Sequence, residues 1–501
     1  MHFALAALTV LTLLLNGYHP LAEDGGLYVA GIQYTLNPTL FPHYTAFVTE
    51  HLHFSLFAPT LAALVRLTHI SLPYILLITN LFSIWLTFYA AHKLLQRTIA
   101  NNLAQLTALC LLAVFWTLPI AGTSLLLMDP YVTARSLSTP LSLLAIAFAL
   151  DDRKRALLAS ILCILLAADF HPLMAAYAFA LILILRLPQR RSIWIILTLA
   201  ALTLAAAINH FAPPETPAII AAEISRYYWF LTAWHWYELL GLAAPLAVLA
   251  LLLRYFNRQF NSLARNAATL CRASILCGCI AILITSLFAH EFSAVNLVAR
   301  LQPLRVFLMI YAIMTLLLAA TLTQRLLEAR ARTDSLFIRR ILTTTPILTL
   351  LALAATMFTV QRNTFPNSHH IELPSQPPRN PWSQAFLWAR NNTPPDALFA
   401  LDAKYVNEPG EDAQTFRATA LRSALPDFSK DGGEAAITPS LAAQWQPAAA
   451  AQANLSIQPD AIRDAHLQPF NVTWIILHAN APTAHPCPYN NGTVKVCRHT
   501  P

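Results

Sequence analysis

Twelve apolar runs, each long enough or nearly long enough to span a bilayer, divide the first 360 residues of this chain. They cover approximately 3 to 17, 52 to 68, 72 to 91, 103 to 128, 136 to 150, 156 to 169, 171 to 187, 192 to 209, 238 to 253, 270 to 288, 304 to 323 and 341 to 360. A bilayer interior offers no water to satisfy backbone N–H and C=O groups, so runs of this kind are confined to helices. Hydrophobic residues make up 57% of the chain and charged residues only 11%, with a mean hydropathy of +0.53. That balance excludes an ordinary soluble domain and predicts an α-helical polytopic membrane protein. The formal net charge of +8 does not signal nucleic acid, because Lys and Arg sit in short loops between apolar runs rather than in a patch.

Four connecting loops are plainly basic: 151–155, 186–191, 254–265 and 324–340. Positive charge marks the cytoplasmic side, so the loops around 129–135, 169–172, 209–237 and 289–305, and everything after 361, are predicted to face outward. Twelve crossings would then put the N-terminus outside as well. Pro119 and Gly122 interrupt the overlong run 103–128. Splitting it into 103–117 and 118–128 predicts about 13 transmembrane helices and an inward N-terminus, but leaves Lys93 and Arg97 outside against the charge rule. The first segment has no basic n-region and no small-residue cleavage site, so it reads as a helix and not as a signal peptide.

After residue 360 the composition turns to Pro, Asn, Asp and Gln, enough chain for a small extracytoplasmic α/β domain over 361–501. Helices are predicted around Arg379–Asn391 and Pro439–Ala453, and strands at Ala397–Leu401 and Val472–His478. Asn491-Gly492 marks a hairpin that sets Cys487 nearly opposite Cys497. A disulfide there fits an oxidising, exported compartment. The other cysteines, Cys110, Cys163, Cys271, Cys277 and Cys279, lie in apolar runs and read as small packing residues.

Glu23 and Asp24 stand where the first apolar run meets water, at the head of a first outer loop, 18–51, that also carries Tyr28, Gln33, Tyr34, His43, Glu50 and His51. Carboxylates at that depth are costly and usually functional, and the loop is too long for a passive connector. The plain alternative is a solvated helix-entry residue before Gly25-Gly26. This layout resembles the GT-C superfamily of membrane glycosyltransferases, which includes protein O-mannosyltransferases, aminoarabinose transferases and oligosaccharyltransferase catalytic subunits. The resemblance rests on the acidic pair after the first helix, on Met128-Asp129-Pro130-Tyr131 as an acidic later loop, and on Trp388-Ala389-Arg390-Asn391-Asn392-Thr393-Pro394-Pro395-Asp396 opening the outer domain. The chain lacks a Trp-Trp-Asp motif and carries Glu-Asp rather than Asp-Glu at the pair, which leaves the substrate open.

The resemblance implies transfer from a polyprenyl-phosphate sugar donor to an acceptor on the outer face of the cytoplasmic membrane. That chemistry requires a base for the acceptor and positive charge for the departing phosphate. Asp24, helped by Glu23, is the candidate base. Arg300 and Arg305 are the leading phosphate ligands, with Arg135 after them, because guanidinium presents a planar fork to phosphate oxygens; snorkelling of both to lipid head groups is the competing account. His171 reads as a pocket ligand or as a turn residue between two helices. Asp129 with Glu291 is a candidate pair for a divalent cation, although no spacing amounts to a metal motif. The aromatic run Tyr227–Glu238 reads as a polyprenyl slot or as an interfacial belt. Two rival functions remain: a transporter or flippase, disfavoured by the absence of an internal repeat, and a catalytically inactive scaffold.

Overall fold

In the computed structural model, which describes residues 1–499, the run 103–128 does not make two crossings. Its helical part, Asn102–Val114, starts at Asn101, whose side chain accepts from the Ala104 N–H. It ends ahead of Pro119, and 118–128 forms a non-helical excursion closed by an antiparallel bridge between Pro119 and Leu126. The excursion lies against the aromatic loop: a Cβ on Gly122 would meet the Trp234 ring at 2.7 Å.

The run 52–68 does not cross either. Its helix, Phe57–Thr68, has 12 residues, and the contacts at its two flanks fix its place. Just before it, the Leu56 N–H donates to Asp169 O at 2.8 Å and the Ser55 hydroxyl to Phe170 O at 2.5 Å, both at one end of the helix Lys154–Phe170. Just after it comes Leu72–Gln96, and at the far end of that helix Arg97 pairs with Asp151 at 2.8 Å, near the other end of Lys154–Phe170. One traverse separates those two points, and the 25-residue helix Leu72–Gln96 makes it. Phe57–Thr68 therefore lies along one end of the bundle, where Arg66 donates to Thr35 O at 2.6 Å on the helix Glu23–Leu36.

Eleven helices remain as candidates for crossing a bilayer: His2–Asn16, Leu72–Gln96, Asn102–Val114, Ala134–Ala149, Lys154–Phe170, Pro172–Arg186, Arg191–Phe211, Trp236–Phe256, Ser262–Phe288, Phe307–Arg332 and Leu336–Thr364. Six candidate spans pass length and hydropathy tests by themselves. Both revisions together keep the two termini at opposite ends and move Lys93 and Arg97 to the end of the other basic loops. Contacts agree: besides Arg97–Asp151, Arg186 pairs with Asp152 at 3.0 Å and Asn266 donates to Arg97 O at 3.0 Å. At the opposite end, the His19 N–H donates to Pro130 O at 2.8 Å, the Tyr18 N–H to His370 O at 2.9 Å and the Glu215 N–H to Ala294 O at 3.0 Å.

The C-terminal part builds a five-stranded mixed sheet from β1 (Leu398–Ala400), β2 (Ser423–Ala424), β3 (Trp474–His478), β4 (Tyr489–Asn490) and β5 (Val494–Arg498), in the order β2-β1-β3-β5-β4. β1 runs parallel to both neighbours, and β5 is antiparallel to β3 and β4. β3 is apolar because helix Pro381–Asn392 and its Phe386 cover one face while Leu455 and Leu467 cover the other. The tight β4–β5 turn places Gly492 at φ +84°, a region that favours glycine. Cys487 and Cys497 are joined as a disulfide.

Candidate active site

The C-terminal part grips the loop after the first helix and presents its acidic pair. Ala22 and Gln414 form an antiparallel bridge, with the Glu23 N–H donating to Ala413 O at 2.8 Å and the Thr415 N–H to Leu21 O at 3.1 Å. The approach is so close that a Cβ on Gly26 would fall 2.2 Å from the Thr415 hydroxyl oxygen, so Gly26 is required there. Glu23 is held in the left-handed region at φ +52°, a conformation that costs a non-glycine residue about 1 kcal/mol.

Glu23 and Asp24 then open the helix Glu23–Leu36 with their carboxylates 42% and 43% exposed, toward Lys430. The Lys430 ammonium pairs with Glu23 and, at 3.1 Å, with Asp24. Burial opposes ionisation of Asp24, but Lys430, Arg135 and Arg305 outweigh it and hold the carboxyl at about 2. Burial likewise opposes charge on Lys430, yet Asp24 and Glu23 keep its ammonium well above the usual lysine range. Lys430 escaped the sequence analysis. Its signal was faint: a lone lysine between Asp427 and Asp431, on a segment whose return to the membrane surface is a tertiary fact.

The arginines divide. Arg300 pairs with Glu215 at 2.5 Å and Glu223 at 2.7 Å, and Glu223 is fully buried. Both carboxylates were passed over in the sequence, and they leave Arg300 committed to the loop that carries them. Arg305 makes no ion pair among the described residues, and its buried Nε has no hydrogen-bond partner. It lines a cleft with Thr123, Tyr228, Trp229 and Gln302. Arg135 is engaged by Asp129, with both carboxylate oxygens within 2.7 Å of Nη2 and the pair at most 7% exposed. Its charge still reaches Asp24.

The remaining candidates fall as follows. His171 caps the helix Pro172–Arg186, its Nδ1 accepting from the Met174 N–H at 3.4 Å, and it lies within the field of Arg305, Arg135 and Asp24. Glu291 accepts from Thr232 at 3.3 Å, while both oxygens of Asp129 face Arg135, so the two are engaged separately. Arg417 and Arg422 hold the C-terminal part together: Arg417 pairs with Asp431 at 2.6 Å and Arg422 donates to Arg390 O and Thr393 O, each at 2.7 Å. Arg226, from the aromatic loop, donates to Ser429 O and Phe428 O, each at 2.6 Å, and so fixes the segment that carries Lys430. The donor set at the acidic pair does not fit a divalent ion, because Lys430 stands between Glu23 and Asp24 and Arg135 takes Asp129.

Among solved structures, the chain is similar to the oligosaccharyltransferase of Archaeoglobus fulgidus in its apo form, with a TM-score of 0.51 at 12% identity over 95% of this chain and 69% of that one. The chain has a GT-C-like fold. At that identity the likeness concerns the fold, and the chemistry of the rim has to be argued from the residues present. No family model and no curated protein matches the sequence.

Proposed function

We propose that the protein is an integral membrane glycosyltransferase that moves a sugar from a polyprenyl-phosphate-linked donor to an acceptor at the outer face of the cytoplasmic membrane. The observation that carries this reading is that half-exposed Asp24 lies within the field of Arg305, a cation with no ion pair among the described residues, on one rim of a GT-C-like fold. In the reaction, the acceptor oxygen or nitrogen bonds to the anomeric carbon as the bond from that carbon to the donor's phosphate oxygen breaks. The acceptor proton passes to Asp24, and the departing polyprenyl phosphate leaves with its negative charge facing Arg305. Tyr228 and Trp229 beside Arg305 supply an apolar wall for the lipid. The basic loops at the opposite end support this orientation, with the C-terminal part extracytoplasmic.

A carboxylate held at about 2 is a weak resting base. Lys430 must therefore loosen its contact when the acceptor arrives, so that Asp24 gains proton affinity as charge develops. The test uses the protein in proteoliposomes with a panel of polyprenyl-phosphate sugars. Asp24→Asn should lower turnover by roughly 100-fold or more while donor binding stays within twofold of wild type. Unchanged turnover, or cysteine labelling that puts residue 24 on the cytosolic side, would reject the proposal.

A further inference from the structure

At the end of the C-terminal sheet where β5 finishes beside the start of β3, Asp464, His485 and His499 bring three potential ligand atoms within 4.8 Å of one another. The Nε2 atoms of both histidines point at the same oxygen, Asp464 Oδ1, from 2.9 Å and 3.0 Å. His499 Nδ1 lies 2.8 Å from Val472 O. A carbonyl oxygen only accepts, so Nδ1 carries a hydrogen, and that bond aims Nε2 at Asp464 Oδ1 in a pocket where His499 is 4% exposed.

We infer that these three residues form a binding site for a divalent transition-metal ion of the zinc class. A histidine that donates its other ring N–H to a backbone carbonyl is the usual arrangement of a metal ligand, since that bond fixes the tautomer and aims the free nitrogen. The distances are close to those required. Ligand bonds of about 2.0–2.1 Å in a tetrahedron set donor atoms ~3.3 Å apart; the two contacts to Asp464 Oδ1, at 2.9 and 3.0 Å, fall a few tenths of an ångström short of that, and all three ligand atoms lie within 4.8 Å of one another. The frame is stiff: the Cys487–Cys497 disulfide lies between the two histidines, the Arg498 N–H donates to Pro486 O at 2.9 Å, and the His499 N–H donates to Thr473 O at 2.9 Å. With its cysteines oxidised, this region offers nitrogen and oxygen donors and no thiolate. Asp464 is 30% exposed, which leaves a coordination position open to water. The ion clamps the helix Asp460–Leu467 onto the strand-end segments that carry the histidines, and the site is independent of the rim chemistry proposed above.

The experiment uses full-length protein without a histidine tag, in detergent, stripped by a chelator and titrated with zinc alone. Wild type should take up one ion per chain at micromolar zinc and melt several degrees higher when loaded. Asp464→Asn and His485→Gln should each weaken uptake at least tenfold while keeping the unloaded melting temperature of stripped wild type. Cobalt in place of zinc should give the visible bands of a four-coordinate site in wild type and not in the variants. Absence of uptake, or equal uptake by Asp464→Asn, overturns the assignment. So does a His499 ring found protonated at both nitrogens at neutral pH in the zinc-treated protein, which would mean that a proton alone joins it to Asp464.

Discussion

Two clusters of the same charge types sit on one rim of the bundle, and they differ in how far their charges are answered. Around Arg300, two carboxylates from another loop close on the guanidinium, and burial together with Glu215 raises the Glu223 carboxyl above the usual range. That arrangement is complete, and its role is to hold the 212–235 loop to the 289–306 loop. Around Asp24, the carboxylates stay nearly half exposed, their cation comes from a distant part of the chain, and Arg305 is left over. Residue type does not separate the two. What separates them is whether the protein itself has already supplied each charge with its partner, because an unanswered charge in a desolvated cleft is maintained only if something else answers it during function.

Substitutions at the two arginines break this comparison most sharply. Arg300→Met strands Glu223 and Glu215 in a buried site and should cost about 3–5 kcal/mol in stability, read as a lower denaturation midpoint in micelles. Arg305→Met should leave that midpoint within about 1 kcal/mol, since no native ion pair is lost, and lower turnover roughly 100-fold through loss of phosphate stabilisation. If the two variants exchange phenotypes, the assignment of roles is reversed. A smaller effect is expected at Lys430. Removing that cation lets the Asp24 carboxyl rise from about 2 toward its ordinary value of 3.8. Wild-type turnover should therefore stay level as pH falls to 4, while Lys430→Gln acquires an acid limb near pH 4. Superimposable profiles would mean that Lys430 does not govern Asp24.

Much of this was legible in the sequence, for identifiable reasons. Hydropathy located the helices, and charge asymmetry ordered most of the loops. Asn491-Gly492 marked a tight hairpin, and the acidic pair stood out against a chain nearly free of charge. Hydropathy failed where an apolar run does something other than cross. Residues 118–128 are apolar because they pack beneath Trp234, and Phe57–Thr68 is apolar because Phe57, Leu61 and Ala62 bury against Val29 and Ile32 of the helix beside it. Lys93 and Arg97 had already signalled against splitting 103–128, since they fall with the other basic loops once 118–128 is no crossing. The pairing of Arg300 with Glu215 and Glu223, and of Lys430 with Glu23 and Asp24, spans 77 to 407 positions. No local pattern carries such contacts.

Glu434 offers a finer probe of the open cluster, because it reports on the acidic pair from the C-terminal side. It lies on the helix Lys430–Ile437, buried, with its carboxyl pushed up to about 8 by burial first and then by Asp431, Asp24 and Glu50. Below its ordinary value of 4.5 the group is protonated folded or unfolded, and it contributes no pH dependence. Between 4.5 and about 8 the folded chain keeps a proton that the unfolded chain has lost, so stability falls as pH rises, by at most about 1.4 kcal/mol per pH unit. Glu434→Gln cannot ionise. It should match wild type at pH 4 and grow relatively more stable up to pH 8, measured by denaturation in micelles at each pH. Combining the change with Asp24→Asn should shrink that advantage, because one of the negative charges that raises the Glu434 carboxyl is gone. An advantage of the same size in both backgrounds would show that burial alone holds the proton on Glu434, and that the C-terminal part does not sense the charge on Asp24.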